Sequence, residues 1–255
     1  MRESIIFVMR VFRVAVLVYI GLGGYLYFMQ RSFIYFPSPE TPTQFSTRAL
    51  HNGGQIIQTL VLNEGRSKAI LYFGGNAENV SFNAKAFSTL FADYGVYLVN
   101  YRGYGGSSGS PSEEGIYSDA LSIYDEMIKT HDSVSVIGRS LGSAVATHVA
   151  SQRAVDRLVL ITPFDSIQSI AQEQFPIYPM ELMLKDKHDS YSRVKAIRSD
   201  TLIIVALNDT VVEMHHTRRL IEGFDVPVLV QVVEGAGHNT ISNSQQYIEA
   251  LDAFL

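Results

Sequence analysis

The chain of 255 residues contains no cysteine. That excludes thiol nucleophiles, disulfide frameworks and cysteine-ligated zinc. It leaves the compartment open, because a disulfide-free fold survives in oxidising and reducing surroundings alike. There is no Lys/Arg-rich run, and 20 basic against 25 acidic side chains leave a net charge of −5, so nucleic acid is not an expected partner. Internal repeats and low-complexity tracts are absent. The seven histidines are scattered without metal-ligand spacing, so neither a metal nor any other cofactor is expected. What the chain has in quantity is apolar side chains, 47% of the total, enough for the core of one α/β domain.

Charge is also missing from Val14 to Met29, VAVLVYIGLGGYLYFM. Sixteen helical residues span about 24 Å, short of a hydrocarbon core of about 30 Å. Ile5 to Met9 and Val11-Phe12 extend the apolar stretch, with Arg10 and Arg13 placed to snorkel toward headgroups. Tyr25 and Tyr27 suit the far interface. Arg2, Arg10 and Arg13 precede the run and only Arg31 follows closely. That bias predicts a cytoplasmic N-terminus and a domain on the far side, periplasmic in a bacterium. The expected organisation is a single-pass anchor over 1–31, a stiff spacer over 32–43 carrying Pro37, Pro39 and Pro42, and a domain over 44–255. A cleaved signal peptide ending near Gly21-Leu22-Gly23 and a buried core helix are the competing readings.

The rest alternates. Asn52-Gly53-Gly54 marks a hairpin between 45–50 and 55–63. Strand-type runs follow at Lys68–Phe73, Gly95–Tyr101, Val134–Ile137, Arg157–Thr162, Thr201–Leu207 and Val226–Val233. Helical patterns lie over 79–92, 112–130, the segment after Ser140, 213–222 and 242–255. Continuous apolar strands between helices predict a mostly parallel, doubly wound sheet covered on both faces, with ligands gathering at the strands' carboxyl ends. Pro163 to Arg198 is longer than a crossover needs and is apolar through Phe164, Ile167, Ile170, Phe175, Ile177, Tyr178, Met180, Leu182, Met183 and Leu184. It reads either as a small cap lined for an acyl chain or as a segment packed on the sheet.

Gly138-Arg139-Ser140-Leu141-Gly142 sits between a strand and a helix of small residues, the context of a G-x-S-x-G nucleophile elbow. The turn forces the serine into a strained conformation and leaves no room for side chains two positions to either side. A serine hydroxyl needs a base. His238 follows the last strand in a flexible turn. His148 lies inside the elbow helix, and His51, His131 and His188 read as loop residues away from strand ends. The adjacent His215 and His216 cannot both face one site from a helix and read as solvated. Asp209 and Asp165 both sit at strand ends and both satisfy the order nucleophile, acid, base. Asp209 is favoured because its strand directly precedes that of His238, and Asp165 reads as a cap of the segment after Pro163. The oxyanion donors expected are the backbone N–H groups of Leu141 and of Asn76, in Gly74-Gly75-Asn76-Ala77. Arg139 is placed to meet an anionic group, and Arg102 to tie down the glycine-rich loop, through Asp119.

These motifs carry a resemblance. Gln30-Arg31-Ser32-Phe33-Ile34-Tyr35-Phe36-Pro37, Gly74-Gly75-Asn76-Ala77-Glu78-Asn79, Asn100-Tyr101-Arg102-Gly103-Tyr104-Gly105-Gly106-Ser107, the elbow, Thr162-Pro163-Phe164-Asp165-Ser166, Asp209 and Gly237-His238 run nearly the length of the chain. Together they resemble the membrane-anchored α/β-hydrolases of the Bem46-like group, which are similar to the α/β-hydrolase-13 and α/β-hydrolase-17 types. Two positions depart from that pattern. Gly74 stands where a histidine usually opens the oxyanion loop, which puts the loop's rigidity in question, and Asn100 where an aspartate is common. The resemblance implies an α/β-hydrolase fold and serine hydrolase chemistry on esters or thioesters.

The expected reaction is acyl transfer to water through Ser140, His238 and Asp209, on an acyl ester or thioester close to a membrane. A serine peptidase of the same fold, or an idle binding member, are the alternatives; the former would usually add a large N-terminal domain or a longer cap. A single-pass anchor should hold the full-length chain in the membrane pellet through a salt wash, and its recovery in the washed supernatant would overturn that expectation.

Overall fold

The computed structural model describes residues 1–255. The first helix, α1, runs from Arg2 to Ile34, three residues past the expected end of the anchor. At 33 residues it is about 50 Å long. It is long and apolar enough to cross a membrane, a property that signal sequences share. An antiparallel hairpin follows, β1 (Ser46–Asn52) and β2 (Gln55–Leu62), turned by Gly53 and Gly54, both at positive φ. Then come β3 (Lys68–Phe73), a 3₁₀ turn and α2 (Ala84–Leu90), β4 (Tyr94–Val99), α3 (Glu113–Met127), β5 (Ser133–Arg139) and α4 (Leu141–Gln152). After β6 (Arg157–Ile161) the segment over 163–198 holds α5 (Ile167–Gln174) and α6 (Met180–Met183). The chain closes with β7 (Asp200–Ala206), α7 (Met214–Glu222), β8 (Leu229–Val233) and α8 (Gln245–Phe254).

The eight strands form one sheet in the order β1-β2-β4-β3-β5-β6-β7-β8. Pairing is parallel from β4 through β8 and antiparallel only at β1–β2 and β2–β4. Strand side chains alternate between faces. In β3, Ala69, Leu71 and Phe73 join a core with α3 and α4, while Ile70 and Tyr72 join a second core with α2 and α8. Both faces are dry, which is why β3 reads as an unbroken apolar run. The last strand departs from that expectation. It starts at Leu229, after Pro227, and as an edge strand leaves Leu229, Val230 and Val232 exposed. The helix expected over 79–92 is a 3₁₀ turn followed by only seven α-helical residues, because the Asn79 side chain accepts from the Ser81 N–H and caps a separate turn.

The ends of α3 show why local sequence makes the elements it does. Ser112 caps it by accepting from the Gly115 N–H at 3.1 Å, and Glu113 and Glu114 lie in the first turn, where the helix dipole favours acids. Arg102 meets Asp119 in a two-pronged pair at 2.8 and 2.7 Å, as the sequence suggested, and passes over Gly115, where a Cβ would lie 2.4 Å from Nη1. Asn100 packs beneath Gly105, at φ 48°, leaving no space there for a side chain.

The proline segment after α1 does not hold the helix away from the domain. Tyr35 is buried, the Phe36 N–H donates to Asn76 Oδ1 and to the Tyr104 hydroxyl, and Ser38 accepts from the Gly105 N–H. These polar partners stitch the segment onto the domain. His188, read as a loop residue, is fully buried between the Tyr35 and Tyr117 hydroxyls at 2.8 and 3.0 Å. Burial lowers its pKa to about 4, against the usual 6.5.

The unfolded imidazole takes up a proton below about 6.5 and the folded one only below about 4, so this site's stability contribution is present above 6.5 and is lost as pH falls toward 4. Between about pH 7.5 and about pH 5 the loss should be about 2 kcal/mol in chemical denaturation, and His188→Gln should show a correspondingly smaller loss. Equal pH dependence in the two proteins would remove His188 as the cause.

Candidate active site

The chain passes from β5 into α4 through Ser140, whose backbone sits at φ 51°, ψ −116°. That conformation costs a non-glycine residue about 1–3 kcal/mol and persists only where the surroundings enforce it. The surroundings are close. A Cβ on Gly142 would lie 2.0 Å from the Phe73 carbonyl oxygen, and one on Gly138 would lie 2.2 Å from the Gly142 carbonyl oxygen. Helix α4 therefore crosses directly against the ends of β3 and β5. The Ser140 N–H is bound to the Ile161 carbonyl of β6 at 2.9 Å, which ties the turn to the sheet.

Three predicted residues meet at this turn. His238 Nε2 is 2.9 Å from Ser140 Oγ, and His238 Nδ1 is 2.7 Å from Asp209 Oδ2. An ionised carboxylate only accepts, so Nδ1 carries the proton and Nε2 is left to accept from the serine hydroxyl. Asp209 Oδ1 accepts from the N–H groups of Val211 and Val212 at 2.9 and 2.8 Å. Burial works to raise the Asp209 pKa, but the hydrogen bonds from His238 and the two backbone N–H groups outweigh it and hold the carboxyl below its ordinary value. It is ionised throughout the neutral range.

Asp165 lies elsewhere. Its Oδ1 accepts from the Ser166 N–H and pairs with His216 Nδ1 at 2.8 Å, while Ser166, not Asp165, caps α5. The pair of histidines also differs from expectation: His216 is buried, and both rings reach Glu173, His215 at 2.9 Å and His216 at 3.3 Å. Adjacent residues can do this because they lie in the first turn of α7, and Glu173 at the end of α5 spans both. These three side chains are the group whose donor atoms lie close enough to hold a metal ion. Each already has a partner within the cluster.

The loop after β3 holds Asn76 beside Ser140. The Asn76 backbone N–H donates to no other group of the protein, and Leu141 opens α4, so its N–H lies outside the helical ladder. Gly74 removes a histidine side chain, and Val80 takes that space: a Cβ there would lie 2.7 Å from Val80 Cγ1. Rigidity comes instead from Glu78, a residue that the sequence reading passed over. Its carboxylate accepts from the Gly75 N–H at 2.6 Å, the Tyr72 hydroxyl at 2.7 Å, Asn83 Nδ2, and Arg139 Nη1 at 3.2 Å. Tyr101 donates to the Gly74 carbonyl at 2.7 Å. Tyr104, whose hydroxyl burial pushes up to about 12, donates to Asn76 Oδ1 at 2.9 Å. Arg139 is consequently committed inside the protein, to Glu78 and to the His238 carbonyl at 3.1 Å, and is not free to meet an anion. The signal that could have found Glu78 is its spacing, three residues beyond Gly75, where a carboxylate folds back onto a turn N–H.

Ser140 stands between two recesses. On one side is an apolar cavity of about 300 Å³ reaching Leu141, Phe164, Ile167, Met180 and Val212. On the other is a more polar cleft of about 470 Å³ bordered by Glu78, Arg139, His238 and Asn239. Phe164, Tyr178 and Met180 of the 163–198 segment are buried, while Ile177 and Leu182 are 69% and 80% exposed.

Comparison with known proteins agrees with this architecture. The family model described as alpha/beta hydrolase fold matches residues 68–184. An uncharacterized protein of Mycobacterium tuberculosis is 29% identical over 261 residues, covering 95% of this chain and 92% of that protein. Alpha/beta hydrolase domain-containing protein 17B of Xenopus laevis is 29% identical over 164 residues, 63% of this chain and 56% of its own length. The esterase Pf2001 of Pyrococcus furiosus superposes with a TM-score of 0.68 at 16% identity, covering 87% of this chain and 96% of that one. A meta-cleavage product hydrolase of Pseudomonas fluorescens gives 0.63 at 16% identity, covering 82% and 97%. The chain has the alpha/beta hydrolase fold.

Removing the Glu78 carboxylate leaves Arg139, 15% exposed, without its charged partner. Glu78→Ala should cost about 1.5 to 3 kcal/mol in chemical denaturation. A cost under about 1 kcal/mol, the value of an exposed pair, would mean the network does not hold the loop.

Proposed function

We propose that the protein is a serine hydrolase that cleaves carboxylic esters or thioesters through Ser140, His238 and Asp209, with Asn76 and Leu141 supplying the oxyanion donors. The observation that carries this reading is the continuous pair of hydrogen bonds from Asp209 through His238 to Ser140 Oγ, set at the tip of a strained turn. The esterase and the hydrolase among the structural neighbours are consistent with it.

The chemistry follows from the geometry. Ser140 Oγ attacks the acyl carbon as His238 Nε2 takes its proton, and Asp209 stabilises the imidazolium that forms without itself being protonated. Negative charge grows on the former carbonyl oxygen, and the backbone N–H groups of Asn76 and Leu141 are the donors placed to meet it. The tetrahedral species collapses as His238 returns the proton to the departing alcohol or thiol. A water, deprotonated by His238, then attacks the acyl-enzyme and regenerates the serine. The two recesses divide the substrate by polarity: the apolar cavity suits the acyl group, and the polar cleft beside Glu78, Arg139 and Asn239 suits the leaving group. The apolar N-terminal helix, long enough to cross a membrane, supports a membrane setting for this activity.

A fluorophosphonate probe should label the folded full-length protein at Ser140, and Ser140→Ala should abolish labelling. Asp209→Asn should lower kcat on p-nitrophenyl esters by about 10⁴, whereas Asp165→Asn should stay within about tenfold of wild type. Absence of labelling would defeat the hydrolase reading. Loss of activity in Asp165→Asn with retention in Asp209→Asn would reassign the acid.

A further inference from the structure

Helix α1 has two halves with different surroundings. From Met1 to Leu22 every side chain is exposed, the apolar ones included. From Tyr19 onward one stripe turns toward the segment over 163–198: Tyr19, Gly23, Leu26, Gln30 and Ile34, spaced three or four residues apart as one helix face requires.

The contacts along this stripe are specific. The Tyr19 ring stacks on Tyr178 with centroids 4.7 Å apart. The Tyr19 hydroxyl donates to the Ile177 carbonyl at 2.9 Å, and the Tyr178 hydroxyl donates to the Tyr19 carbonyl at 3.1 Å. Gly23 lets the Tyr178 ring lie against the helix backbone, where a Cβ would be 3.0 Å from it. Gln30 is the one buried residue of the helix. Its Nε2 donates to the Met183 carbonyl at 3.2 Å and its Oε1 accepts from the Lys185 N–H at 2.6 Å. Arg31 meets Asp186 with two hydrogen bonds, at 2.7 and 3.2 Å. At the helix end, Asn76 Nδ2 donates to the Ile34 carbonyl at 2.6 Å, so the loop beside Ser140 is joined to α1 directly.

Between these anchoring contacts lies the apolar cavity. Leu26, Phe33 and Ile34 of α1 line it together with Phe175, Met183 and Ser140. The geometry points to the second half of α1 as a wall of a channel for a long aliphatic acyl chain, laid between the helix and the 163–198 segment with its carbonyl at Ser140. This rests on the proposal that Ser140 is the nucleophile. A mostly apolar channel that reaches Ser140 fits an unbranched chain bearing one reactive carbonyl. The exposed half of α1 leaves the domain beside Ile177 and Leu182, which are themselves exposed, so the outer end of the channel adjoins the surface that would meet lipid. Leu26 is two helical turns from Ile34, about 12 Å along the axis, so short acyl groups would not reach it and long ones would.

The test uses the full-length protein in detergent micelles. Leu26→Trp should lower the ratio of p-nitrophenyl palmitate to p-nitrophenyl acetate turnover by about tenfold or more, while Leu17→Trp, exposed on the opposite side of the helix, should leave it within about twofold. Equal losses on the two esters, or no loss on either, would overturn the channel. If the wild type cleaves neither ester, it is the hydrolase reading that fails. Binding of cis-parinaric acid, a fluorescent long-chain fatty acid, to the Ser140→Ala protein then decides the channel separately. Weakening by an added Leu26→Trp supports it, and unchanged binding overturns it. The palmitate loss should recur with an S-palmitoyl peptide or with a dipalmitoyl phospholipid in vesicles, whichever of the two the wild type cleaves.

Discussion

A carbonyl oxygen pressed against a glycine is the constraint from which the site is built. Helix α4 approaches the end of β3 so closely that the Phe73 carbonyl occupies the place where any side chain on Gly142 would begin. That approach fixes the start of α4, and with it the left-handed backbone of Ser140 and the direction of the Leu141 N–H. Everything else at the site is positioned relative to that turn. The parallel sheet brings the end of β7, with Asp209, and the turn after β8, with His238, to the same edge as the end of β5. Residues far apart in sequence thus meet without any segment having to reach across the fold.

A second constraint lies one layer out. Glu78 gathers a backbone N–H, two side-chain donors and a half-buried guanidinium on one carboxylate, and the same guanidinium holds the His238 carbonyl. The loop beside Ser140 and the loop of His238 are therefore two arms of one ionic network. Such a network is stable only when complete, because either charge left alone in that environment would be strongly destabilising. This network accounts for a loop that begins Gly74-Gly75 and yet is held firmly. Asn76 extends the network in the other direction, to the last carbonyl of α1 and, through Tyr104, to the glycine-rich loop.

The N-terminal helix joins the two levels. A helix that only tethered a domain would need no glycine facing a tyrosine, no buried glutamine and no ion pair to the segment that covers the site. Here the helix carries the glycine and the glutamine on one stripe and the ion pair beside it, and the proline segment behind it is bonded into the domain through Phe36 and Ser38. Stripe and segment belong to the domain's packing, while the residues before Tyr19 share none of it.

Local patterns were enough for the order of the elements, the mostly parallel sheet, the elbow at Gly138-Ser140-Gly142, and the strand-end positions of Asp209 and His238. Each of these depends on neighbours in the chain: apolar runs, turn residues, and glycines where a side chain cannot fit. What sequence left open was settled by contacts across the fold. Asp209 and Asp165 have the same local character, and only the packing of α7 turns Asp165 toward His216 and leaves Asp209 to His238. His188 has the sequence surroundings of a loop, but Tyr35 and Tyr117 close over it from distant elements. Glu78 and Arg139 are ordinary charges until β3 and β5 bring them together. The stripe from Tyr19 to Ile34 is hidden within an apolar run because a lipid-facing helix and a helix packed on a cap draw on the same side chains. Sequence alone determined which residues could form the reactive turn, because that depends on local sterics. The tertiary structure decided which charges are paired and which face of α1 is covered, because those depend on what lies across the space between elements.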